Sequence, residues 1–132
     1  MLTTFKDLVV WQEAMKLVEM VYQQTRNFPK EEIYGLTIQM RKAAVSIPAN
    51  IAEGYGRRSR KEYLHFLSVA NGSEAELETH ILIAERLCFL TKEQTEQVQA
   101  QLQSVGKLLS ALRKSLHPLP PNPKPHTLLP NP

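Results

Sequence analysis

In four segments of this chain apolar side chains return at alternating steps of three and four residues, the spacing that keeps them on one face of an α-helix. The first segment holds Leu8, Trp11, Met15, Val18, Tyr22 and Thr25, and the second holds Ile33, Leu36, Met40, Ala44, Ile47 and Ile51. Tyr63, Leu67, Ala70, Leu77, Ile81, Ala84 and Cys88 form the third; Val98, Leu102, Val105, Leu109, Leu112 and Leu116 form the fourth. Each such helix needs a neighbour for its apolar face, and the breaks between them are short. The pattern predicts an all-α fold, an antiparallel up-down-up-down four-helix bundle. A length of 132 residues suits one domain, expected over residues 1–117.

Local signals set the boundaries. Asn27-Phe28-Pro29 ends the first helix, because proline disfavours helical geometry in the residue before it. The second helix should begin near Glu31, with Gly35 a weak point in its first turn. It should kink at Pro48, which lacks an N–H and crowds the carbonyl of Ala44. Ala43, Ala44, Ser46, Ala49 and Ala52 let another helix approach closely there, and Gly54 and Gly56 are expected to stop the helix. Ser59 with Glu62, and Thr91 with Gln94, read as capping boxes that open the third and fourth helices. Seven prolines among the fifteen residues 118–132 exclude helix. A disordered proline-rich tail without assigned function is expected there.

The first helix carries a second apolar stripe, Val10, Ala14, Leu17 and Val21, beside the first. One stripe suffices for a monomeric bundle, so these four residues are expected at a subunit interface of a homo-oligomer. Glu74 falls on the inward register of the third helix and needs a partner; Arg41 is the candidate for it or for Glu76. The lone Cys88 sits on a helical stripe beside Leu87 and Phe89, which suggests a buried or half-buried thiol rather than a nucleophile. Neither a leader peptide nor a stretch of roughly 20 apolar residues is apparent, so a cytoplasmic location without membrane contact is expected.

Charge is unevenly distributed. Residues 26–61 carry net +5, residues 62–96 net −5 and the final third net +4. One region should therefore be cationic and another anionic, which suits polyanion binding and head-to-tail packing of copies alike.

The segments FKDLVVWQEAMKLV, FPKEEIYGLTIQMRKAAVSIPANIAEGYGRRSRKEYLHFL and GSEAELETHILIAERLCFL resemble the bacterial four-helix bundle proteins encoded in intervening sequences of 23S ribosomal RNA genes. The likeness covers about residues 4–116 and rests on a long composite pattern: YGLT, then RKAAVSIPANIAEG, then GRRSRKE. The resemblance implies a bundle that assembles into a ring, typically a homopentamer. The chain is also similar to the accessory proteins of diversity-generating retroelements, which implies nucleic acid and a reverse transcriptase as partners. Glu74 stands where an apolar residue is usual in that family.

The candidate nucleic-acid surface is Arg57, Arg58, Arg60 and Lys61, flanked by Tyr55 and Tyr63, with Arg41 and Lys42 on the second helix. Four cations in five residues can neutralise several phosphates of RNA or DNA and release their counterions. A helix start beside them adds free N–H groups and partial positive charge. Contacts should go to phosphates, since no sequence-reading module is present. The expected role is a non-enzymatic oligomeric scaffold, with an adaptor for a reverse transcriptase or other polymerase as the competing reading. A metal-independent ribonuclease using Arg60 and His65 is the third. Glu62-x-x-His65 is half of a di-iron bundle pattern without a second copy, so neither a metal nor a cofactor is expected.

Overall fold

A computed structural model describes residues 3–117 and shows, among them, four α-helices and no strand. They are α1 (Val9–Thr25), α2 (Leu36–Tyr55), α3 (Arg60–Arg86) and α4 (Lys92–Ser115), with 3-10 turns at Phe5–Asp7 and Lys30–Glu32. The proline-rich tail expected at 118–132 lies outside the described residues. Each helix packs on its chain neighbours and α1 closes against α4, while α2 and α3 form the most extensive pair. Cross-helix bonds give the directions. The Gln24 amide donates to the Gln94 carbonyl at 3.0 Å and the Gln101 amide to the Glu13 carbonyl at 2.8 Å, so α1 and α4 run oppositely. Ser73 donates to the Ser46 hydroxyl at 2.8 Å, and further down the pair Gly54 lies against Tyr63 and Phe66, so α2 and α3 do too.

The two stripes of α1 do not divide between core and interface as expected. Val10, Ala14, Leu17 and Val21, expected at a subunit interface, are 4, 0, 0 and 0% exposed within a single chain and belong to its core. Trp11, Met15 and Val18 are half-buried, and Tyr22 is 41% exposed. Spacing fits both stripes, so side-chain bulk decides: small Ala14 permits the close approach of α2 and α4, whereas the Trp11 indole needs the rim. There it packs edge-on to Phe5 with centroids 5.4 Å apart.

α2 begins at Leu36 rather than near Glu31. Residues 30–32 form a 3-10 turn, and the Glu32 carboxylate turns forward to accept the Leu36 N–H at 3.0 Å. Gly35 is thus the N-cap rather than an interior weak point. The helix passes unbroken through buried Pro48 and on through Gly54 to Tyr55. Gly54 does not stop it. A Cβ there would stand 2.9 Å from Phe66 Cβ and 3.0 Å from Tyr63 Cδ1, so the glycine serves the close contact of α3.

Ser59 caps α3 by accepting the Glu62 N–H at 3.1 Å, but the Glu62 carboxylate takes the Ser59 hydroxyl at 3.2 Å instead of closing the box through backbone. The Thr91–Gln94 box is reciprocal. At its other end α3 stops in a Schellman motif: Phe89 N–H reaches the Ala84 carbonyl at 2.8 Å and Cys88 N–H the Glu85 carbonyl at 3.0 Å. Cys88 therefore stands exposed at φ 63° instead of on the buried stripe. A left-handed conformation costs a residue with a Cβ about 1 kcal/mol. Cys88→Gly should accordingly raise stability by about 1 kcal/mol in urea unfolding, with Cys88→Ala giving no such gain.

Glu74 has no cationic hydrogen-bond partner among the described residues, and Arg41 is not near that role: its Nε donates to Thr25 Oγ1 at 2.9 Å. The half-buried Glu74 carboxylate occupies the space that a Cβ at Gly106 of α4 would fill. Burial pushes its pKa up, Glu78 adds to the rise and Arg113 opposes it. A carboxyl whose folded pKa is raised binds its proton more tightly in the native state, so stability falls as pH rises from the unfolded value through the folded one. Glu74→Gln should stabilise the fold at pH 7 by up to about 1 kcal/mol, water screening limiting the gain at a half-exposed site. In acid denaturation series the gain should disappear below pH of about 4, where both states are protonated.

Candidate nucleic-acid interface

The connection between α2 and α3 is four residues long, 56–59, and the cations in and beside it do not share one environment. Arg57 is engaged within the chain. Its Nη2 lies 2.9 Å from Glu53 Oε2, its Nη1 lies 3.9 Å from Glu62 Oε1, and its guanidinium covers the Phe66 ring at 4.7 Å. Arg58, Arg60 and Lys61 are exposed and form no ion pair among the described residues. Three cations rather than four are therefore available. They surround the first turn of α3, whose unpaired N–H groups add positive potential where the Ser59 cap leaves them open.

Behind them lies a cleft lined by Arg57, Ser59, Lys61, Glu62, His65 and Phe66. The His65 and Phe66 rings meet edge to face at 5.2 Å. Tyr55 and Tyr63 pack edge-on at 6.2 Å beneath the loop, and burial raises the Tyr63 pKa. The tyrosines thus brace the loop, and the aromatic surface beside the free cations comes from His65 and Phe66. Phe66 was not foreseen as part of the site; it meets Arg57 only across the helix connection, a separation that no helical spacing exposes.

Arg41 and Lys42 do not join this surface. They lie 15 and 14 residues before Gly56, roughly 20 Å along the helix at 1.5 Å per residue. Arg41 is also half-buried, held by Thr25 and stacked over the Tyr22 ring at 4.6 Å. Lys42 is exposed on the α2 flank. By contrast, the antiparallel order brings the last turn of α4, with Arg113 and Lys114, to the same end of the bundle as the α2–α3 connection. The positive final third of the sequence signalled that charge, and only the topology could place it.

Arg60 and His65 are both exposed on the first turns of α3, but His65 lines the cleft and Arg60 does not. Among the described residues no cluster of three or more His, Cys, Asp or Glu stands where a metal could be held, and no helix is long and apolar enough to cross a membrane.

The sequence model of the 23S rRNA-intervening sequence proteins matches residues 6–111. No curated protein matches the chain. Among solved structures it is similar to a crystal structure from Bacteroides thetaiotaomicron VPI-5482, a protein of unknown function from the S23 ribosomal protein family. That protein is 24% identical, with a TM-score of 0.73, and the likeness covers 80% of this chain and 99% of the other. At that identity it speaks for the fold.

Proposed function

The chain belongs to the 23S rRNA-intervening sequence protein family, and on that premise we propose that it is a non-enzymatic cytoplasmic scaffold whose copies associate and hold nucleic acid by its phosphates. One observation carries the binding: Arg58, Arg60 and Lys61 stand exposed and unpaired, among the described residues, around the start of a long helix. Single-stranded segments suit this surface best, because their bases can reach the exposed His65 ring while the cations neutralise the backbone. Titrating a labelled single-stranded RNA with the protein at low salt tests this directly. Saturable binding without strand cleavage is expected; cleavage that His65→Ala abolishes would favour the ribonuclease reading instead.

Association does not use the stripe Val10, Ala14, Leu17 and Val21, which the chain buries itself. Its support comes from apolar residues left in water on α3 and its C-cap, Leu82 at 45%, Ile83 at 40% and the capping Leu87 at 53%, with Val69 at 40% on the same helix. A ring of bundles, five in number as the family resemblance implies and each with α2 bent at Pro48, would gather the cationic ends of its members and raise avidity for a polyanion. Ile83→Glu should reduce the mass in solution to that of one chain at micromolar concentration while helicity is kept. An unchanged oligomer would place the interface elsewhere, and a wild-type monomer would remove the ring.

A further inference from the structure

At the end of the bundle opposite the basic loop, where α1 gives way to α2, a small cleft of about 110 Å³ gathers Arg26, Lys30 and Arg41. Thr37 to Tyr55 separates the two ends by about 27 Å along α2 at 1.5 Å per residue. None of the three cations is in an ion pair among the described residues. The nearest carboxylates in sequence are Glu31, which does not line the cleft, and Glu32, which is occupied with the Leu36 N–H.

Arg41 is fixed before any ligand arrives. Thr25 Oγ1 donates its proton to the Val21 carbonyl at 2.7 Å and accepts Arg41 Nε at 2.9 Å, while Tyr22 supports the guanidinium from one side. Both Nη groups remain without an acceptor among the described residues, the fork that pairs with an oxyanion. Thr37, in the first turn of α2, lines the same cleft, and its hydroxyl makes no hydrogen bond among the described residues. Phe28 and Pro29 close the far wall.

We propose that this cleft binds a compact, doubly charged phosphate group, either free phosphate or the terminal phosphate monoester of a strand. Three cations and one hydroxyl match that charge and its acceptors. The small volume and the apolar wall disfavour an internal diester, which would have to enter on one side and leave on another. The inference stands apart from phosphate binding at the α2–α3 loop, since no residue is common to the two sites.

Thermal unfolding in increasing inorganic phosphate, against sodium chloride at equal ionic strength, tests it. Wild type should show a saturable rise in Tm with phosphate beyond that with chloride. Lys30→Ala, which removes an exposed side chain and leaves the fold, should weaken the response about tenfold, and Arg41→Gln should abolish it. The variant lacking Arg58, Arg60 and Lys61 should respond as wild type does. Comparing 5′-phosphorylated with unphosphorylated oligonucleotide then identifies the source. Tighter binding of the phosphorylated strand, lost in Lys30→Ala, assigns a strand end; equal binding beside a saturable phosphate response assigns the free anion. A phosphate response no larger than that of chloride, or one unchanged in Lys30→Ala, overturns the site and leaves the three cations as counter-charges to the negative end of α1.

Discussion

Leu17→Ala should lower the free energy of unfolding by about 3 kcal/mol, enough to remove a large part of the stability of a domain this size. Leu17 has no exposed surface in the single chain and lies at the middle of α1, among residues that are themselves fully buried. Deleting three carbons there costs both the transfer energy of the lost atoms and the cavity left behind, because neighbouring helices relax only in part. The same truncation at an interface would instead change the assembly and make the loss depend on protein concentration. Urea unfolding at two concentrations separates these outcomes. A loss below about 1 kcal/mol accompanied by dissociation would restore Leu17 to a subunit contact and undo the assignment of the α1 core.

Replacing Arg58, Arg60 and Lys61 together by alanine should weaken binding of single-stranded RNA on the order of 100-fold at moderate salt, because three counterion-releasing contacts are lost. Arg57→Ala should do less to affinity than any of those three. Its guanidinium is already shared between Glu53, Glu62 and the Phe66 ring, so its removal frees two carboxylates and uncovers a ring without deleting an available cation. Fluorescence anisotropy on the four variants gives the ranking. If Arg57→Ala proved the most damaging, the chain would be gripping its ligand in the cleft and not at its rim.

The helices were legible because their apolar spacing leaves little choice: Val98, Leu102, Val105 and Leu109 of α4 are all in the core, as the register requires. Caps at Ser59 and Thr91 could be read from local chemistry, since a hydroxyl three residues before a Glu or Gln satisfies backbone donors wherever the rest of the chain goes. What failed were the inferences that turned on which neighbour arrives from elsewhere. Two stripes on α1 satisfy the same period, and only the approach of α2 and α4 decides which is covered. Gly54 looks like a stop in sequence and is a contact in space. Cys88 continues a helical pattern, yet α3 ends two residues earlier in its Schellman motif, with Phe89 packed on Phe28, their centroids 5.4 Å apart. The basic cluster was visible as charge, but its division into engaged Arg57 and unpaired Arg58, Arg60 and Lys61 depends on where α3 carries Glu62 and Phe66.

Phosphate contact at the α2–α3 end is the claim on which the functional account turns, and the dependence of RNA affinity on salt tests it most directly. For wild type, the logarithm of the association constant should fall with the logarithm of salt concentration at about −0.7 per contact, near −2 for three contacts on a single strand. The variant lacking Arg58, Arg60 and Lys61 should give a line close to flat. An equal slope for the two proteins, or a wild type that binds no RNA at low salt, would contradict the account.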